Sequence, residues 1–163
     1  RVLAATGLTS TVETDDGRVA GYAVATDDTD AFEAWFREEW WPEHGALWPK
    51  PERERSRQDG TLIYAYSRAP GVEPYAARYP AHLHIDLLPE LQGQGWGRRL
   101  IETVVAALRE RGVRGLHLVA SADNAGALAF YPRVGFDPIP SHDGVQAFAM
   151  DLPATRRAPS AGA

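Results

Sequence analysis

Hydrophobic residues recur along the chain with two spacings, one typical of strands and one typical of helices. Alternating runs at residues 8–13 and 18–25 flank a turn that contains Asp16 and Gly17, and this pattern predicts a β-hairpin. Later apolar runs of strand length are bounded by Gly, Pro, Ser and Asp. They predict four further strands, at residues 81–88, 115–120, 134–139 and 145–152.

Helical spacing predicts three helices between these strands. The first is capped within residues 27–30, carries aromatic residues on one face, and should end at Pro42 because proline lacks a backbone N–H. The second covers residues 98–111 and ends at Gly112, and the third is capped by Asn124. The aromatic residues of the first helix are Phe32, Trp35, Phe36, Trp40 and Trp41.

The chain has 163 residues, a size that predicts a single domain with a real core, here placed at residues 1–152. Residues 61–67 are compatible with a short helix or a strand, and residues 153–163 are predicted to be a disordered tail. There are no cysteines, which excludes a disulfide framework and a thiolate metal site. The composition therefore favours a small enzyme or binding domain.

The net charge and the hydropathy pattern argue against two classes of protein, nucleic-acid-binding proteins and membrane proteins. The net charge of −5 argues against a general nucleic-acid-binding protein, which needs a basic surface for phosphates. No apolar run is long enough to cross a membrane and no signal-peptide pattern occurs, so we expect a soluble cytoplasmic protein without a membrane partner.

A glycine-rich turn between a predicted strand and a predicted helix is the strongest chemical signal. Gly93, Gly95 and Gly97 alternate there, so successive N–H groups can approach an anion at the positive end of the helix. A dinucleotide fingerprint would need glycine where the chain has Arg98, and no Walker-type loop occurs. The turn therefore predicts a pyrophosphate site of another kind.

Two motifs together resemble the GNAT superfamily of N-acetyltransferases. The first is Gln92-x-x-Gly95-x-Gly97, and the second is Asn124 at the start of a helix that ends in Phe-Tyr-x-x-x-Gly-Phe at residues 130–136. The resemblance implies an α/β (α+β) fold, with a mixed, mostly antiparallel central sheet flanked by helices. It also implies that the family's N-terminal strand and helices are missing, and that an insertion at residues 32–79 supplies a replacement wall.

Two further segments resemble a narrower bacterial group. Residues 79–90 and 38–42 are similar to the C-terminal acetyltransferase-like domain of O-GlcNAcase. The resemblance implies acetyl-CoA as the donor substrate and an amine as the acceptor, and it leaves a homodimer open. No metal is expected, because His82, His84 and Asp86 on a single flat strand lack the convergent geometry of a metal site. The implied donor-binding residues are Leu87, Leu88, Gln92, Gly93, Gln94, Gly95, Trp96, Gly97, Arg98, Asn124, Phe130 and Tyr131.

The chemistry of acyl transfer assigns further roles. A main-chain N–H near Leu87 or Leu88 is the implied oxyanion donor, and Tyr131 can protonate the leaving thiolate. His84 and Asp86 share a strand face with His82 and are the candidate bases for the acceptor amine. The alternatives are a core tyrosine at Tyr131 and structural histidines on this strand.

The expected function is direct acetyl transfer from acetyl-CoA to an amine of a small molecule, a basic peptide or a protein lysine, in a ternary complex. The alternative is a catalytically inactive acyl-CoA-binding or peptide-recognition module with the same fold. The acidic run at residues 27–43 could attract a cationic acceptor, although a helix cap followed by a solvated helix face explains it better. Trp41 is a candidate for lining the acceptor groove.

Overall fold

The structure is a computed structural model that describes residues 2–153, so the predicted tail lies outside the described residues except for Pro153. A seven-stranded sheet forms the centre of the fold, in the order β1-β2-β3-β4-β5-β7-β6. The strands are β1 (Val2–Thr6), β2 (Thr9–Glu13), β3 (Val19–Thr26), β4 (Ala81–Leu87), β5 (Gly115–Ser121), β6 (Asp137–Ile139) and β7 (Val145–Asp151).

Every strand pair in this sheet is antiparallel except β4 and β5, which run parallel. The predicted mixed, mostly antiparallel sheet is therefore confirmed. The predicted hairpin forms between β2 and β3, and its turn is closed where the N–H of Thr14 donates to the carbonyl of Arg18 at 2.9 Å. Strand β1 was not predicted; it pairs with β2 along its whole length. The last predicted strand pair is shorter than expected, because Gly135 turns the chain at a φ of 96° before β6 begins.

Helices connect the strands. They are α1 (Thr29–Trp35), α2 (Trp41–His44), α3 (Arg57–Ser67), α4 (Trp96–Glu110) and α5 (Ala125–Arg133), with a π-helical turn at Phe36–Trp40 and 3₁₀ turns at Gly45–Leu47 and Pro89–Leu91. Residues 61–67 lie within α3, so the choice between a helix and a strand is decided in favour of the helix. None of the helices in residues 2–153 is long and apolar enough to cross a membrane.

The prediction that Pro42 ends the first helix is wrong. The chain stays helical through Pro42, because a π-helical turn precedes it and the N–H of Trp41 donates to the carbonyl of Phe36, five residues back. Pro42 then occupies the first turn of α2, where its missing N–H costs little.

The core lies between α4 and the sheet. Leu100, Ile101, Val104 and Leu108 share one face of α4 and are almost completely buried. They belong to one apolar cluster that also contains Val12, Ala23, Leu83, Leu116 and Phe148. This packing fixes the start of α4 beside the end of β4, which is where the glycine-rich turn lies.

Candidate active site

Strands β4 and β5 separate shortly after they begin to pair. Their register contains only Ala81 opposite Leu116 and His82 opposite His117. On its other side β4 pairs with β3 from His82 to Leu87, and the N–H of Leu88 donates to the carbonyl of Ala20 at 2.9 Å. Backbone groups alternate between the two sides of an antiparallel strand.

The N–H of Leu88 points toward β3, because it donates to Ala20. The N–H groups of Leu87 and Ile85, which lie one and three residues before Leu88, therefore point to the other side of β4, toward β5. At these positions β5 has already diverged. We call the opening between the two strands the fork. It offers main-chain donors to a ligand.

The glycine-rich turn lies at the open end of the fork. Gly93 and Gly95 have φ of 72° and 81°, and a Cβ built on either would meet no atom within 4 Å. Gly95 is the N-cap of α4, and within residues 2–153 no side chain caps the start of this helix. An anion suits this end of the helix. The side chain of Gln92 donates to the carbonyl of Leu87 at 3.1 Å and ties the turn to β4.

Gly97 allows α4 to approach α5 closely. A Cβ at this position would lie 3.0 Å from Phe130 Cζ and 3.3 Å from Leu87 Cδ1. Arg98 donates to the carbonyl of Arg133 at 2.6 Å and links the two helices again. Phe130, one of the predicted donor-binding residues, therefore packs against the glycine-rich turn at Gly97. Asn124 caps α5, where its side-chain oxygen accepts from the N–H of Ala127 at 3.0 Å.

Tyr131 points from the end of α5 into the core. Its ring packs against Phe136 and Phe148, with centroids 5.7 and 5.2 Å away, and the residue is 9% exposed. Burial raises the pKa of its phenol, and the nearby negative charge of Asp86 raises it further. Tyr131 therefore lies close enough to Asp86 for the charge of the carboxylate to act on its phenol.

Asp86 is the centre of a small polar cluster. One of its oxygens accepts from the Tyr22 hydroxyl at 3.3 Å and lies 3.2 Å from His84 Nε2. His84 and Asp86 are well exposed, so solvent reaches both. Tyr22 is directly opposite Asp86 in the β3–β4 register, and no sequence pattern predicts this pairing. Within residues 2–153, no three His, Asp or Glu side chains are arranged to hold a metal ion.

His82 lies on the same strand but in a different environment. The Thr29 hydroxyl donates its single hydrogen to the carbonyl of Pro80 at 2.7 Å, so it must accept from His82 Nδ1 at 2.9 Å. Burial lowers the pKa of His82 to about 4, and neighbouring His117 contributes to the lowering. His82 is therefore a neutral imidazole at pH 7, with its lone pair on Nε2.

A cavity of about 810 Å³ opens beside the fork. Its lining residues come from α1, the π-helical turn, α3, the segment after α3, β4, β5, the β6–β7 connection and the start of β7, so part of the long segment between the hairpin and β4 lines this cavity. Trp41 is not part of the lining; it stacks on Tyr66 at 4.2 Å. The polar and aromatic lining residues include Phe32, Glu33, Phe36, Tyr64, Arg68, Glu73, Tyr75, His82, His84, His117 and Ser121.

The family model described as "Acetyltransferase (GNAT) family" matches residues 4–136. The chain belongs to the GNAT acetyltransferase family. The crystal structure of SsHAT has the same fold, with a TM-score of 0.81 and 38% identity over 89% of this chain and 72% of that chain.

Curated relatives match over shorter segments. The [ribosomal protein bS18]-alanine N-acetyltransferase of Escherichia coli K12 is 45% identical over 49 residues, which are 30% of this chain and 33% of that protein. The mycothiol acetyltransferase of Nocardia farcinica is 35% identical over 78 residues, which are 48% of this chain and 23% of that protein. The matches span a third or less of the length of these relatives.

The burial of His82 in this GNAT domain predicts a pH-dependent stability. Its pKa falls from about 6.5 in the unfolded chain to about 4 in the fold, so its contribution to stability is complete above pH 6.5 and is lost as the pH falls toward 4. At pH 5 the loss amounts to about 2 kcal/mol.

Urea unfolding at pH 8 and pH 5 measures this effect, with His82→Gln as the comparison, because glutamine can still donate to Thr29. We expect the variant to lose about 2 kcal/mol less than wild type between the two pH values. Equal losses in both proteins would contradict the assignment.

Proposed function

We propose that this GNAT domain transfers an acetyl group from acetyl-CoA to an amine by direct attack in a ternary complex. The observation that carries the proposal is the fork, with the uncapped start of α4 at its open end and a cavity beside it. An anion site, a row of main-chain donors and an acceptor space are the three elements that this reaction requires.

The donor would be held at two places. The N–H groups between Gln92 and Arg98, at the positive end of α4, suit the pyrophosphate of coenzyme A. The pantetheine arm is about as long as four extended residues, ~14 Å. A strand advances about 3.3 Å per residue, so the arm can extend along β4 from Leu88 to the level of His84, beside the cavity.

The oxyanion would be stabilised by a main-chain N–H of β4. Of the two predicted positions, Leu88 already donates to Ala20, and this leaves Leu87. The N–H of Ile85 also faces the fork and lies closer to the level that the arm reaches. Removing a donor of this kind typically costs about 3 to 4 kcal/mol of transition-state stabilisation.

Tyr131 and the Asp86 cluster would move the protons. The raised pKa of Tyr131 keeps its phenol protonated at neutral pH, as a general acid requires. His84 and Asp86 are hydrogen-bonded to each other at the solvent-exposed end of the fork, where they can take the proton of the acceptor amine. Tyr22 holds the carboxylate of Asp86 in place.

The acceptor space favours a small molecule among the acceptors that the sequence leaves open. Its volume of about 810 Å³ lies within the range of small-molecule sites. The similarity of residues 79–90 and 38–42 to the O-GlcNAcase domain remains our proposal for the nearer relationship within the GNAT family.

The proposed function is tested by measuring the release of coenzyme A from acetyl-CoA in the presence of a panel of amines. We expect slow hydrolysis without an amine and faster release with a suitable amine, together with an acetylated product in the mass spectrum. Tight binding of acetyl-CoA without any amine-dependent release would instead support the inactive binding module.

A further inference from the structure

Two buried carboxylates share one arginine at the wall of the cavity. Glu33 lies on α1, Arg68 directly follows α3, and Glu73 lies in the segment that leads to β4. Arg68 donates from Nε to Glu33 Oε1 at 2.7 Å, and its Nη2 lies 2.6 Å from the same oxygen and 3.1 Å from Glu73 Oε2. The side chains of Glu33 and Glu73 are only 4% and 9% exposed.

The cluster has an excess of acidic groups. Within residues 2–153, Glu33 Oε2 and Glu73 Oε1 are buried without a hydrogen-bond partner. One guanidinium faces two acidic side chains, so the cluster has fewer basic groups than acidic ones, and a buried carboxylate without a counter-charge is costly. Burial raises the pKa of Glu33, although Arg68 opposes this effect.

The neighbouring histidines do not supply the missing positive charge. Burial lowers the pKa of both His82 and His117, so both rings are neutral at pH 7. The Nδ1 of His117 donates to the carbonyl of Tyr79 at 2.7 Å, as His82 does to Thr29. A cation from outside the protein would therefore complete the cluster.

Aromatic rings continue the wall of the cavity around these carboxylates. Phe32, Phe36, Tyr64 and Tyr75 all line it. Rings of this kind attract cations through their faces and cover the alkyl part of a ligand. Phe32 packs edge-on against His82 at 5.8 Å, so this end of the cavity lies at the start of β4.

The reactive end lies further along the same strand. His82 and Asp86 are four residues apart in β4, a distance of about 13 Å at 3.3 Å per residue. Glu33, Glu73 and His84 all line the cavity, and His84 Nε2 lies 3.2 Å from Asp86 Oδ2, so a ligand in the cavity can contact the buried acids and also reach the His84–Asp86 pair.

Building on the proposed function, we propose that Glu33 and Glu73 form a cation subsite, and that the acceptor is an elongated small molecule with two basic nitrogens. One nitrogen stays protonated and binds the free carboxylate oxygens. The other loses its proton at the His84–Asp86 end and attacks the thioester carbonyl, and coenzyme A leaves as the thiol. The alkyl chain between the nitrogens lies along the aromatic wall.

Two probes that differ by a single nitrogen test the subsite. 1,8-Diaminooctane and 1-aminooctane have the same chain length, and calorimetry without acetyl-CoA measures their binding. We expect the diamine to bind wild type at least about tenfold more tightly than the monoamine, because hydrogen bonds to charged groups carry this difference.

Matched variants identify the carboxylates. Glu33→Gln keeps the shape of the side chain and should weaken diamine binding by about 10- to 100-fold, with little effect on the monoamine. Glu73→Gln should do the same, and it tests the subsite if Glu33→Gln does not fold. Glu38→Gln removes an exposed charge outside the cavity lining and should change neither affinity.

The outcomes separate this inference from the proposed function. Equal binding of both probes, or diamine binding that is unchanged in both variants, would overturn the cation subsite even if amines are acetylated. Binding of the diamine that depends on Glu33 and Glu73, with no acetylation of any amine in the panel, would support the subsite and overturn the transferase.

Discussion

Gly95→Glu is expected to weaken coenzyme A binding by about a thousandfold, which corresponds to about 4 kcal/mol. Gly95 has a φ of 81°, a conformation that costs a residue with a side chain roughly 1–2 kcal/mol. The new carboxylate would also stand at the N-cap of α4, where it would occupy the anion site and repel the pyrophosphate.

A second glycine separates backbone strain from loss of the anion site. Gly112 follows the other end of α4 with a φ of 71°, and a Cβ there would meet nothing within 4 Å. Calorimetry with coenzyme A should give wild-type affinity for Gly112→Glu and a severe loss for Gly95→Glu. If Gly95→Glu binds as tightly as wild type, the pyrophosphate does not lie on this turn.

Tyr131→Phe is expected to slow acetyl transfer by roughly a hundredfold and to leave coenzyme A affinity nearly unchanged. The substitution removes one oxygen from a ring that is already packed in the core, so the fold should be kept. Single-turnover kinetics is the suitable measurement, because slow product release would hide part of the effect in steady-state rates.

Tyr79→Phe is the matched control. Tyr79 is also 9% exposed, but it lies two residues before the start of β4 and not at the end of α5. We expect normal single-turnover rates for this variant. A normal rate for Tyr131→Phe as well would show that Tyr131 is a core tyrosine, the alternative that the sequence left open.

The features that the sequence predicted correctly are local. The β2–β3 hairpin follows from an Asp-Gly turn between alternating runs, and α5 follows from the Asn124 cap. The glycine-rich turn was recognisable because a positive φ selects glycine at fixed positions along the chain. Burial, turn chemistry and capping act over a few residues, so their signal can be read from the order of the residues.

The local rules failed where a neighbouring turn changed the outcome. Proline ends most helices, but the π-helical turn at Phe36–Trp40 allowed the chain to remain helical past Pro42. Residues 61–67 carried too weak a periodicity to decide between a helix and a strand. The helix that contains them, α3, starts after the cap formed by Ser56, which lies before residues 61–67 and before Gly60.

The sequence by itself determined the family motifs, the order of strands β2 to β7 and the glycine-rich turn, because each depends on residues close together in the chain. Only the tertiary structure decided the polar clusters at Asp86 and at Arg68. Tyr22 meets Asp86 through the register of β3 and β4, and Arg68 meets Glu33 from 35 positions away in the chain. Charges and hydrogen bonds act through space, so their partners are set by the packing of α1 and α3 against the sheet and not by spacing along the sequence.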